Sequence, residues 1–189
     1  MIYCTLILIT LTFSVADEIC DRNSDNSCGD ASEVKHARFY TSTQPLNIHN
    51  VNISSSVTLN DGVKIPVYGL GVYLAGTGEE TRNAVLWALE NGYRQIDTAA
   101  RYMNEESVGE AIRESKIPRE DIFVVTKLYD TDHGYDETLA AFNKSLGKLG
   151  MEYVDLYLMH SPLPDKIVPS WNAMVKLQQQ GLIRFVRST

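Results

Sequence analysis

The chain has 189 residues, of which 44% are hydrophobic and 22% are charged, a composition typical of globular rather than disordered proteins. Its length fits one ordinary domain. Its formal net charge of −7 argues against binding to nucleic acid or to an anionic membrane surface, because both need clustered lysine and arginine side chains.

Residues 1–16 have the pattern of a secretory signal peptide. An apolar run extends from Leu6 to Val15, and the small Ala16 is followed by the acidic Asp17. A transmembrane helix needs about 20 apolar residues, so the run is too short to span a membrane comfortably. We therefore expect cleavage after Ala16, secretion, and no membrane attachment of the cleaved chain. Since no lysine or arginine precedes the run, an uncleaved anchor or a cytoplasmic protein remains an alternative.

Residues 17–56 are polar and rich in Ser, Asn and Asp, without the periodicity of a helix or strand. We interpret them as a linker or disordered arm. Cys20 and Cys28 lie within this arm. They could form one disulfide loop in an oxidising compartment or remain two exposed thiols, and the sequence leaves both possibilities open.

From Val57 onward, short β-prone runs alternate with helical patterns. The first two runs flank Asn60, Asp61 and Gly62, which predict a β-hairpin because such turns need residues that tolerate positive φ. Strands are predicted near Val67–Gly71, Arg94–Asp97, Ile122–Lys127, Val154–His160 and Ile183–Val186. Helices are predicted at Glu79–Asn91, Glu105–Ser115, Asp136–Leu149 and Ser170–Gln180. This alternation predicts an α/β fold with a parallel sheet or barrel, in a domain of residues 57–189.

Ionisable side chains occur where three successive predicted strands end. Asp97, Lys127 and His160 close the runs RQID, IFVVTK and DLYLMH, and Tyr102 follows Asp97 in the next loop. Singly, each has an ordinary structural explanation: a helix cap, a lysine extending out of the sheet, a turn histidine, a packed tyrosine. Together they indicate an active site, because the carboxyl ends of barrel strands converge on one face.

These four groups make a proton donor. A phenol is a weak acid, and a neighbouring ammonium stabilises the phenolate that remains after the proton leaves. Lys127 supplies the ammonium, Asp97 keeps it charged, and His160 can hydrogen-bond a carbonyl oxygen. None of the four can supply electrons, so any reduction at this site needs a further reagent.

Four segments resemble successive motifs of the aldo-keto reductase superfamily. They read DGVKIPVYGLGVY, GYRQIDTAARYMNEESVGEAI, FVVTKL and VDLYLMHSP, and the resemblance extends from Val57 to Arg184. It implies a (β/α)8 TIM barrel with an N-terminal β-hairpin that plugs its bottom, and an enzyme that reduces an aldehyde or ketone with NADPH.

The resemblance also implies a role for each site residue. Tyr102 would donate the proton, while Lys127 and Asp97 would adjust the acidity of its hydroxyl group. His160 would orient the carbonyl and contact the substrate.

Two residues after the first barrel strand match family positions at the mouth of the site. The resemblance implies that Val72 and Tyr73, together with Asp97, contact the cofactor, and that Tyr73 also contacts the substrate. Many members have tryptophan where Tyr73 stands, so we expect a different substrate pocket.

A complete barrel of this type needs about 250 residues, so we expect residues 57–189 to form only about the first five strands. In the family, much of the cofactor site lies beyond that point. Two hypotheses follow. In the first, the chain represents an NADPH-dependent reductase of a small carbonyl compound. In the second, it is a truncated, non-catalytic secreted product that binds a protein partner over its incomplete barrel.

Overall fold

The computed structural model describes residues 51–59, 62–162 and 164–188. The predicted signal peptide, Cys20, Cys28 and most of the predicted linker lie outside these residues. No helix in the described part of the chain is both long and apolar enough to cross a membrane. The first strand begins at Ser56, one residue before the predicted start of the domain. The domain boundary itself stays a prediction.

A two-stranded antiparallel hairpin comes first, as its turn sequence predicts. Strand β1 (Ser56–Thr58) pairs with β2 (Lys64–Pro66) in a register that places Val57 opposite Ile65. Gly62 has a φ of 90°, in the region that favours glycine.

Five parallel strands follow, in the spatial order of the chain. They are β3 (Leu70–Gly71), β4 (Gln95–Asp97), β5 (Phe123–Leu128), β6 (Val154–Met159) and β7 (Ile183–Ser188). The intervening helices are α1 (Glu79–Glu90), α2 (Glu105–Ser115), α3 (Tyr135–Leu149) and α4 (Ile167–Gln179). The predicted parallel α/β fold is confirmed.

The predicted boundaries differ most, by three residues, at the starts of two elements. Strand β3 contains only two of the five predicted residues. Helix α4 starts at Ile167, three residues before the predicted Ser170. Pro169 is compatible with this earlier start because it occupies the first helical turn, where a backbone N–H has no intrahelical acceptor and no hydrogen bond is lost.

Hydrophobic side chains fill both sides of the central strand β5, all six residues of which are buried. The larger cluster lies between sheet and helices and includes Val124, Phe142 and Tyr157. The smaller cluster lies on the other face, where Ile65 of the hairpin packs with Phe123 and Val125. The hairpin therefore covers part of the face that a barrel turns inward.

A buried carboxylate ties the amino-terminal ends of the strands together. Asp155 accepts hydrogen bonds from Arg119 at 2.7 Å, from the Val124 amide at 2.9 Å and from Arg184 at 2.6 Å. A cavity of about 510 Å³ opens at this end and is lined by residues of the hairpin, β5 and β6. None of the predicted catalytic residues lines this cavity.

Candidate active site

The loop after β4 carries two of the predicted site residues. Asp97 ends the strand, and a short 3₁₀ turn, Ala100–Tyr102, follows it. Met103 then adopts left-handed backbone angles, with a φ of 58°, which end the turn before α2 begins. Tyr102 is thereby held by a compact loop rather than by the strand itself.

Asn104 fixes this loop and was not singled out by the sequence analysis. Its buried amide donates to the carbonyl oxygen of Val72 at 2.9 Å and accepts from the Thr98 hydroxyl at 2.9 Å. The amide therefore bridges the loops after β3 and β4. A polar residue directly before a helix predicts a helix cap, yet the Asn104 side chain makes no capping hydrogen bond.

Lys127 is the centre of the site. Its ammonium donates to Asp97 Oδ1 at 2.6 Å, to the Thr98 carbonyl oxygen at 2.9 Å and to Tyr102 Oη at 3.3 Å. The lysine itself is buried. The carboxylate, the ammonium and the phenol, predicted separately at two strand ends and a loop, thus form one hydrogen-bonded chain.

Two aromatic contacts position the Tyr102 ring. The His160 ring meets it edge-on, with centroids 5.6 Å apart and an interplanar angle of 77°. The Tyr73 ring lies on another side at 4.9 Å. His160 follows β6, and its backbone amide donates to the Leu128 carbonyl oxygen. The structure therefore brings all four predicted catalytic residues and Tyr73 together at the carboxyl end of the sheet.

Val72 is placed differently from Tyr73. The Val72 side chain is only 2% exposed and packs in the larger hydrophobic cluster, whereas Tyr73 is 54% exposed. Of the two, only the Tyr73 side chain is accessible to a ligand. The cofactor contact assigned to Val72 stays a prediction.

Burial and the lysine charge set the electrostatics of the site. Burial raises the pKa of Asp97 above its ordinary value, and the ion pair with Lys127 offsets part of that rise. Burial lowers the pKa of His160, and the positive charge of Lys127 lowers it further. The imidazole is therefore neutral at neutral pH and can donate one hydrogen bond.

Known proteins are similar to this chain in sequence. Residues 69–186 match the model of the Aldo/keto reductase family. A 9,11-endoperoxide prostaglandin H2 reductase of Trypanosoma cruzi is 52% identical over 130 residues, covering 69% of this chain and 46% of that protein. A glyoxal reductase of Bacillus subtilis is 47% identical over 135 residues, covering 71% of this chain and 49% of that protein.

Solved structures give the same picture. An aldo/keto reductase from Brucella melitensis superimposes with a TM-score of 0.69 at 48% identity, covering 71% of this chain and 53% of that one. A Bombyx mori aldo-keto reductase in complex with NADP gives 0.65 at 39% identity, covering 71% and 50%. The chain thus spans about half the length of the curated relatives it matches, and its sheet is part of a (β/α)8 barrel. The chain belongs to the aldo/keto reductase family.

Proposed function

We propose that this chain carries the proton-donating half of an NADPH-dependent reductase of aldehydes or ketones, with Tyr102 as the proton donor. The observation that supports this most directly is the Lys127 ammonium, which contacts both Asp97 and Tyr102. A cation beside the phenol oxygen favours the phenolate that proton transfer produces. The nearby carboxylate compensates the buried positive charge.

The set of side chains fits a nicotinamide cofactor. Phenol, ammonium, carboxylate and imidazole can move or stabilise a proton, but none of them can supply a hydride to the carbonyl carbon. NADPH, when bound, supplies the hydride. Tyr73 and Asp97 are the residues we assign to the cofactor side of the site.

The remaining groups act on the substrate. The neutral His160 ring would donate an N–H to the carbonyl oxygen and set its orientation. As the carbonyl carbon becomes tetrahedral, the oxygen takes the Tyr102 proton and leaves a phenolate. Lys127 stabilises that phenolate until solvent returns the proton. The product is the alcohol.

A matched pair of tyrosine variants tests the assignment. Tyr102→Phe removes the hydroxyl and keeps the ring, whereas Tyr153→Phe makes the same change beneath Arg119, at the other end of the sheet. We expect Tyr102→Phe to lower kcat by about 10²- to 10⁴-fold, the usual contribution of a positioned general acid, and Tyr153→Phe to leave it unchanged.

Two measurements are needed, NADPH binding by fluorescence titration and aldehyde-dependent NADPH oxidation by the purified chain. The proposed role of Tyr102 is wrong if Tyr102→Phe retains the wild-type kcat. If the 189-residue chain neither binds NADPH nor reduces an aldehyde, these residues alone are not a reductase.

A further inference from the structure

An arginine lies beside the proton donor and takes no part in the proposed reaction. Arg101 immediately precedes Tyr102 in the 3₁₀ turn and is exposed. Its guanidinium carbon lies 5.7 Å from the centre of the Tyr129 ring, which follows β5 two residues after Lys127. The guanidinium is therefore held over an aromatic ring at the mouth of the site.

This guanidinium has no anionic partner in the described part of the chain. No ion pair there includes Arg101, and neither does any of the side-chain hydrogen bonds. The two nearby carboxylates have other partners: Asp97 accepts from Lys127, and Asp130 accepts from the Ser161 hydroxyl. The five donors of the guanidinium therefore face solvent or a ligand.

Arg101 also lies within electrostatic reach of the group that orients the carbonyl. Together with Lys127, it is one of the cations that lower the pKa of His160, whereas Asp130 and Asp97 raise it. Lys127 forms an ion pair with Asp97, and Arg101 forms none among the described residues. Arg101 is therefore the cation near His160 that can still take an anionic partner.

We propose that Arg101 binds a carboxylate of the substrate, so that the preferred substrates are aldehydes or ketones that also carry a carboxylate. This inference rests on the proposed function. A planar guanidinium can donate two parallel hydrogen bonds to a carboxylate, and its contact with Tyr129 restricts its position before a ligand binds. Arg101 is adjacent in the chain to Tyr102 and acts electrostatically on His160, the two residues assigned to the carbonyl group of the substrate.

A pair of aldehydes tests the inference. 4-Carboxybenzaldehyde carries the anion, and its methyl ester has the same ring and a similar electron-withdrawing group without the charge. We expect the wild-type kcat/KM to be about 10- to 100-fold higher for the acid than for the ester, the usual effect of a charged hydrogen bond. Most of the difference should appear in KM.

Three variants distinguish an effect of the Arg101 charge from an effect of the total charge of the chain. Arg101→Gln should abolish the preference for the acid, and Arg101→Lys should restore part of it as a point charge. Lys144→Gln removes the same charge from an exposed site on α3 and should keep the wild-type preference. The inference is overturned if the wild type reduces both aldehydes equally well, or if Arg101→Gln still prefers the acid. The reductase proposal survives either result.

A binding measurement tests the role of Arg101 even if the chain has no reductase activity. If the wild type reduces neither aldehyde, the reductase proposal fails, and the affinity for 4-carboxybenzaldehyde still decides the role of Arg101. Titration followed by ¹⁵N NMR should then shift the Arg101 side-chain signal and give a Kd about tenfold or more below that of Arg101→Gln. Equal Kd values would overturn the inference independently of catalysis.

Discussion

Lys127 stabilises the folded chain as well as contacting the phenol. Its side chain is 10% exposed, and that of Asp97 is 16% exposed, so the pair is poorly solvated. Removing one partner of such a pair leaves an uncompensated charge and costs about 3 kcal/mol or more. We expect Lys127→Met to lower the free energy of unfolding by about this amount in urea denaturation.

The matched control is Lys144→Met, which changes an exposed lysine and should alter stability by less than about 0.5 kcal/mol. Adding Asp97→Asn to Lys127→Met should recover part of the lost stability, because the carboxylate that no longer has an ion-pair partner is then removed. A double variant that is less stable than Lys127→Met alone would contradict this account of the pair.

His133 makes the stability of the chain sensitive to acid. The ring is fully buried and lies 3.2 Å from the Ser170 hydroxyl, joining the loop after β5 to α4. Burial lowers the pKa of His133 below its ordinary value of 6.5, although Asp130 and Asp132 oppose that effect. The unfolded chain therefore binds the proton more readily than the folded chain.

The free energy of unfolding should accordingly be highest above the ordinary histidine pKa and should fall as the pH decreases through about 6.5 toward the lower folded value. Urea denaturation at a series of pH values would measure this decrease. His133→Gln should reduce it without abolishing it, since the pKa of His160 is lowered as well. Parallel losses in the wild type and His133→Gln would show that the buried ring is not responsible.

The sequence could identify the site residues that carry chemistry but not those that hold them. Asp97, Lys127 and His160 are visible because each interrupts an apolar run at its carboxyl end. Asn104 and Arg101 follow no such pattern. Their partners are 32 and 28 residues away along the chain, at Val72 and Tyr129, so only the folded loops reveal what they contact.

At the scale of the helices, one close approach depends on a glycine. A methyl group on Gly109 of α2 would overlap the backbone carbonyl of Leu149, the last residue of α3. Gly147 in α3 has open space around the same position. The two glycines therefore predict opposite effects of the same substitution.

Gly109→Ala should destabilise the chain. Overpacking against a backbone atom costs about 3 kcal/mol, and the better helix propensity of alanine returns about 1 kcal/mol, leaving a net loss of about 2 kcal/mol. Gly147→Ala has only the propensity term and should stabilise by about 0.5 to 1 kcal/mol. Thermal and urea denaturation would measure both, and a neutral Gly109→Ala would refute the close contact.

The ends of two helices could be predicted because a glycine follows each of them. Gly150 has a φ of 62° directly after α3, and Gly181 has a φ of 76° just after α4, so both helices end near glycines that tolerate left-handed angles. The start of α4 lacked such a signal, because a proline in a first turn resembles a helix breaker until the hydrogen bonds are known. The length of β3 depends on how many of its residues pair with β4, and the local sequence carries no information about that pairing.

For the molecule as a whole, the protection of backbone amides from hydrogen exchange should decrease from the centre of the sheet to its edge. Strand β5 pairs with β4 and β6, whereas β7 pairs with β6 alone among the described strands. We expect the amides of residues 124–126 to exchange with deuterium at least about tenfold more slowly than those of residues 184–186, because the edge opens without the centre. Equal rates would show that the sheet opens only as one unit.

The α/β class could be predicted because the alternation of apolar runs and helical segments is visible in the local sequence. The packing of the hairpin could not be predicted from local sequence, because Ile65 contacts Phe123 and Val125 only after the sheet has formed. The same face carries the half-buried Leu156 and Leu158. Part of the inner face of this partial barrel is thus covered by a contact that no single segment predicts.

The contacts of Lys127 also fix the direction in which the phenol can release its proton. An ammonium has three hydrogens and no lone pair, and Lys127 has three acceptors: Asp97, the Thr98 carbonyl and Tyr102. Tyr102 therefore receives a hydrogen from the lysine and cannot give its own to it. The O–H bond must point away from the Lys127 ammonium, so the orientation of one hydrogen atom is restricted before any substrate arrives.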